Sequence, residues 1–215
     1  MRPNFALSLS FSGIQLLHQQ ENGWGRVGDV DIGAADLTGD LAALRARAEA
    51  LSSGPIETKL IIPDDQIKYL TVDATGLDKD ALQSSVLGAL DGATPYPVDD
   101  LTFDFANEAG QVHIAAVAKE TLQEAEAFAT EHGFAPMGFV AATTPANFPH
   151  EPSFGVSTLA TSMGITALDT DGKPAIVTSD AIPVPVPVAS DPEPVIAASE
   201  DAPNDFVEEV KIPVP

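Results

Sequence analysis

Phe5, Leu7, Leu9 and Phe11 alternate with Ala6, Ser8 and Ser10, the period of two that sends successive side chains to opposite faces of a strand. Ser12-Gly13 reads as a tight turn, and Ile14 to His18 begins a returning strand, so the chain opens on a hairpin. Glu21-Asn22-Gly23 marks a second turn, after which Trp24, Arg26, Val27, Val30 and Ile32 predict a third strand. The period then changes. Leu37, Leu41, Leu44, Ala48 and Leu51 are spaced four, three, four and three apart, one face of a helix, with Gly54-Pro55 as its stop. Within Lys59-Leu60-Ile61-Ile62-Pro63 the apolar run is nearly continuous, as expected of a strand buried on both faces.

A second unit comes next. Ile67 to Val72 reads as a strand, and Asp78 can cap a helix that carries Ala81, Leu82, Val86, Ala89 and Leu90 on one side. Asp91-Gly92 and Thr94-Pro95-Tyr96-Pro97 end that helix, and Leu101 to Phe105 and Val112 to Val117 are strands joined by a turn at Glu108-Ala109-Gly110. Lys119 to His132 is the third helix, with Leu122, Ala125, Phe128 and Ala129 inward and Gly133 as its stop; Phe134 to Ala141 is the strand after it. The pattern weakens beyond Pro145, and residues 153–168 predict no element. The expected organisation is therefore an α/β domain over 1–150, with a small subdomain inserted at about 66–118. A weakly patterned extension over 151–177 and a disordered acidic tail over 178–215 complete it. That tail holds eight prolines, eight acidic residues and one lysine, and Pro183, Pro185 and Pro187 alternate with valines, which predicts polyproline II. An ending with no structural punctuation predicts a chain that continues past Pro215, with a membrane tether as one candidate continuation.

Composition narrows the chemistry. Hydrophobic residues make up 44% of the 215, enough for a sizeable core, but aromatics only 6%. With no cysteine, disulfides, thiolate metal sites and a cysteine nucleophile are excluded together, in keeping with a reducing compartment. A net charge of −22 repels phosphate backbones and anionic headgroups, so neither nucleic acid nor bare membrane is an expected partner. Met1-Arg2-Pro3-Asn4-Phe5 lacks the regions of a signal peptide, and no segment approaches the about 20 apolar residues of a membrane span. A soluble, cytoplasmic domain is expected.

The motifs with catalytic associations do not survive their context. Gly23-Trp24-Gly25-Arg26-Val27-Gly28 matches the G-x-G-x-x-G dinucleotide fingerprint. That loop must open a helix, whereas Asp29 to Gly33 alternate like a strand, so a glycine-rich hairpin is the better reading. His18, His113, His132 and His150 show no metal-ligand spacing. Asp64-Asp65, Asp78-Lys79-Asp80 and Asp99-Asp100 with Asp104 read as solvated surface in so acidic a chain, and Asp169-Thr170-Asp171-Gly172 lacks the closing glutamate of a calcium loop. There is no G-x-S-x-G elbow and no P-loop. No catalytic residue, metal or cofactor is expected.

Three antiparallel strands, a helix and a buried strand resemble the opening of the ribonuclease H-like, actin-like fold. The strand-helix-strand-strand unit resembles the small subdomain inserted into actin-like proteins of bacterial division and pilus assembly. Three stretches are similar to the PilM-type pilus assembly family and to the cytoplasmic domain of type II secretion L proteins. These are Phe5 to Leu16, Ala93-Thr94-Pro95-Tyr96-Pro97-Val98-Asp99-Asp100, and Ala115 to Glu120 through Gly133-Phe134-Ala135-Pro136, together spanning about 4–141. The resemblance implies a phosphate hairpin in which an aspartate, a glycine and a lysine serve magnesium-bound water and phosphate. The matching positions here are Ser8, Ser10 and Gln15, and a second lobe with the adenosine site has no room in the remaining chain. The implied role is a non-catalytic scaffold with protein partners. A nucleotide-dependent switch or enzyme completed by a missing lobe or partner is the alternative.

Overall fold

In the computed structural model, strands β1 (Phe5–Ser10), β2 (Gly13–Gln20) and β3 (Gly23–Val30) form the antiparallel opening that the alternation predicts. The structure describes residues 2–21, 23–144, 146–169, 174–175 and 177–179. Helix α1 (Leu37–Glu49) returns the chain so that β4 (Glu57–Ile62) lies parallel to β1. The Asp36 carboxylate caps α1 by accepting from the Gly39 amide at 3.0 Å. The helix ends at Glu49, before the Gly54-Pro55 stop, and β3 ends at Val30, so Ile32 lies beyond it.

The small unit comprises β5 (Lys68–Asp73), α2 (Lys79–Leu90), β6 (Leu101–Glu108) and β7 (Gln111–Ala118). Its three strands form a separate antiparallel sheet in the order β5-β7-β6. Val86 and Leu90 of α2 pack there on Val112, Ile114 and Ala116. Asp78 caps α2 by accepting from the Ala81 amide at 2.9 Å, a contact whose loss typically costs about 1 kcal/mol. β6 and β7 are joined by Ala109-Gly110 with φ of 52° and 81°, the left-handed pair that suits a two-residue hairpin.

Helix α3 (Lys119–Glu131) then leads to β8 (Ala135–Ala141), parallel to β4. The main sheet has the order β10-β3-β2-β1-β4-β8-β9. One face carries Phe5, Leu7, Leu60 and Ile62 against Leu41, Leu44 and Ala48 of α1 and Leu122, Ala125 and Ala129 of α3. The other carries Ala6, Leu17, Trp24, Ile61 and Val140, with Ala175 packed on them. Both faces of β4 are thus covered, as its unbroken apolar run requires.

The weakly patterned region is ordered. β9 (Ser153–Val156) pairs antiparallel with β8, and α4 (Thr158–Ser162) comes after it, its Ala160 amide bonded to the Ser157 hydroxyl at 3.0 Å. Elements of four and five residues are too short to display a period. The segment expected to be disordered from 178 begins instead inside a strand, β10 (Val177–Ser179), which pairs parallel with β3. Residues 180–215, with the expected polyproline II run, lie outside the described residues.

Candidate functional site

Because the register of the hairpin sets Ser8 opposite Gln15 and Ser10 opposite Gly13, and Gln15 opposite Asp29, a polar row crosses three strands on one face. The three positions singled out from sequence are therefore brought together. Asp29 joins them, which the glycine-rich hairpin reading did not anticipate. Its sequence signal was a charge in an alternating strand. The Gln15 amide donates to Asp29 Oδ1 at 2.7 Å, and Arg26 Nη1 donates to Asp29 Oδ2 at 3.4 Å. The Ser10 hydroxyl donates to the Gly13 carbonyl at 2.8 Å and lies 2.9 Å from the Ser12 hydroxyl.

Beside this row is an open cavity of about 400 Å³, lined by Ser8, Ser10, Ser12, Gln15, Asp29 and Asp31 among others. Of the described residues that line it, two are carboxylates and none is cationic. Hydroxyls and an amide can bind water or a neutral polar group. A phosphate chain would instead meet Coulomb repulsion from Asp29 and Asp31 in a partly desolvated space, with the nearby Arg26 already paired.

The other candidates lie outside this cavity's lining. A Cβ on Gly28 would meet Leu44 Cδ1 at 2.9 Å and Arg47 Nη1 at 3.0 Å, so that glycine admits α1 onto the sheet. His18 and His132 pack tilted against Phe5 and Phe128, and His150 edge-on against Phe148, at 4.7, 4.6 and 4.8 Å between centroids. His113 lies on β7, 3.4 Å from the Thr71 hydroxyl. Among the described residues, no group of three or more His, Cys, Asp or Glu side chains is placed to hold a metal ion.

Several acids do more than face solvent. Asp64 accepts from the Tyr69 hydroxyl at 2.6 Å, and burial, with Asp64 beside it, pushes that phenol above its ordinary pKa. Asp104 Oδ2 accepts from the Ser153 amide at 3.0 Å, tying β6 to β9. Lys119 donates to the Asp99 carbonyl at 2.6 Å. Of the Asp169-to-Gly172 turn, residues 170–172 lie outside the described residues.

One constellation was not anticipated. Lys59 on β4 points to the second face of the main sheet and meets Glu151 at 2.6 and 2.8 Å, with both side chains almost wholly buried. Lys59 Nζ also sits 4.8 Å from the centre of the Trp24 ring, and Glu151 Oε1 accepts from the Ala175 amide at 3.2 Å. The pair lies apart from the hairpin cavity and fastens the late segment onto the sheet.

No family model matches the chain, and no curated protein matches it. Among solved structures, it is similar to the cytoplasmic domain of EpsL, an inner membrane component of the type II secretion system of Vibrio cholerae. That likeness has 10% identity over 64% of this chain and 56% of the other, with a TM-score of 0.47. It is also similar to a PilM-PilN type IV pilus biogenesis complex, with 14% identity over 65% and 47% and a TM-score of 0.49. A third is a Bacteroides thetaiotaomicron protein with an actin-like ATPase fold and unknown function, with 14% identity over 67% and 54% and a TM-score of 0.34. The chain comprises one α/β unit with the small antiparallel sheet and α2 inserted between β4 and α3, and it spans about half the length of the solved chains it matches. Among the described residues, no helix is long and apolar enough to cross a membrane.

Proposed function

We propose that this chain is a non-catalytic, cytoplasmic docking domain that holds protein partners, of the kind used by pilus or secretion-type membrane platforms. One observation carries the reading. The hairpin that would hold a nucleotide's phosphates in an actin-like ATPase presents Ser8, Ser10 and Gln15 to a cavity with two carboxylates and no cation. A triphosphate with magnesium needs fixed charge of the opposite sign and carboxylate ligands free for the metal; here Asp29 is already engaged by Gln15 and Arg26. The platform setting rests on the sequence resemblance over residues 4–141. The overall charge of −22 favours protein partners over nucleic acid or anionic lipid.

Calorimetry with ATP and magnesium on the whole chain tests the reading. No saturable heat is expected, and none from Ser8→Asp with Gln15→Lys, since that pair adds one acid for one base and leaves Asp29 and Asp31 lining the cavity. Binding by the parent chain tighter than about 100 μM, roughly −5.5 kcal/mol, would overturn the docking role. A nucleotide-dependent switch completed by a second lobe or partner would then take its place.

A further inference from the structure

Strand alternation gives the hairpin a second, opposite face. Where Ser8, Ser10 and Gln15 line the polar cavity, Leu9, Phe11 and Ile14 line an apolar groove of about 270 Å³ on the helix side. Ile62 and Pro63 at the end of β4 and Ala125 and Phe128 of α3 complete its walls, together with Ile32. Phe11 is 81% exposed and Ile32 45% exposed, so two large apolar side chains stand in water at the mouth of a mostly apolar groove. Aromatic and branched residues in that position characterise contact surfaces.

The α3 wall of the groove is acidic. Glu120, Glu124 and Glu131 are exposed on α3 and, at i, i+4 and i+11, share one face of the helix beside Phe128. Glu124 itself lines the groove. Asp64-Asp65, both exposed, come directly after the lining residue Pro63. No Lys, Arg or His is among the described lining residues, and Lys119, the base nearest on α3, is engaged by the Asp99 carbonyl.

This charge decides between occupants. The chain's own tail, residues 180–215, carries eight acids and one lysine, and a second copy would bring another −22 and the same acidic rim; both meet repulsion. We propose that the groove docks an amphipathic segment of a partner protein, with apolar anchors seated against Phe11, Ile32 and Phe128 and flanking Lys or Arg meeting Glu124 and Glu120. The proposal rests on the docking reading and specifies where that docking occurs.

The probe is a fluorescent amphipathic Leu/Lys peptide, titrated with the full chain at physiological salt beside its Leu/Glu counterpart. Saturable binding of the Leu/Lys peptide alone is expected. Phe11→Ser with Ile32→Ser should weaken it by about tenfold or more, as for anchor residues, and Glu124→Gln should weaken it further. Leu87→Ser with Phe105→Ser, at exposed apolar positions of the small unit, should leave it unchanged. Absent binding, or binding indifferent to Phe11 and Ile32, overturns the proposal. So does a concentration-dependent dimer dissolved by Phe11→Ser, which makes a second copy the occupant. Tighter peptide binding after deletion of 180–215 also overturns it, by making the tail the occupant. A failed peptide titration beside silent ATP calorimetry removes this site alone, whereas ATP binding removes the docking reading beneath it.

Discussion

Replacing Lys59 by Met would leave the Glu151 carboxylate sealed beneath the sheet with the Ala175 amide as a remaining partner. Lys59 is 4% exposed and Glu151 0% exposed, so water cannot take the place of the ammonium. Breaking such a pair from one side typically costs about 3–5 kcal/mol, because an uncompensated charge stays buried. With a urea slope of about 2 kcal/mol per molar for a domain of this size, the midpoint should fall by about 2 M. Glu151→Leu should cost a similar amount and also free the Ala175 amide. The double variant, Lys59→Met with Glu151→Leu, should recover most of the loss, since an apolar pair of similar volume needs no desolvation to be offset. Trp24 is the only tryptophan of the chain and is buried 4.8 Å from Lys59 Nζ. Its emission therefore tracks unfolding and also reports the local change in the Lys59→Met native state. A midpoint within about 0.5 M of the parent for Lys59→Met, given that slope, would refute the argument. A double variant no more stable than either single one would refute it equally.

Ile61→Asp and Ile62→Asp should each abolish soluble expression, because the two side chains are 3% and 1% exposed on opposite faces of β4. An unpaired buried carboxylate costs several kcal/mol on either face, and a sharp circular-dichroism melt from either variant would contradict this. Cutting the chain after Ser179 should leave the melting temperature unchanged, because the composition of 180–215 offers little apolar surface against ordering costs of about 1–2 kcal/mol per residue. Cutting before Pro174 removes Ala175 and β10 from the second face and should lower it by several degrees; calorimetry on both truncations decides. Burial against Phe5 lowers the His18 pKa below its ordinary value. The unfolded chain therefore takes up that proton first, and stability should decline as pH falls below about 6.5. His18→Gln should flatten that part of the urea-midpoint profile, and an unaltered slope would exclude the assignment.

Local periodicity fixes the order and kind of the strands and α-helices over residues 5–141, because each is long enough to print its own period. The spacing of Leu37, Leu41, Leu44 and Ala48 is a helix face whatever lies beyond it, and Leu60-Ile61-Ile62 demands cover on both sides. Asp78 before an apolar-periodic run marks a helix start, and the structure places it there. The serines and glutamine of the hairpin were likewise legible as residues without charge. Tertiary structure decided what those residues face. Asp29 reaches Gln15 through register between neighbouring strands, and Glu151 reaches Lys59 across 92 positions of chain. A lysine inside an apolar run hints that a buried partner exists, but nothing local names it. β9, α4 and β10 are too short to announce themselves; β9 and β10 pair with the open edges of β8 and β3, and Ser157 caps α4. The groove beside Phe11 has the same origin. An alternating strand specifies that Ser8 and Leu9 part to opposite faces, but only the packing of α3 places Phe128 and Glu124 beside Phe11. Periodicity is a property of neighbours along the chain, whereas charge pairing and concavity arise between segments that only folding brings together.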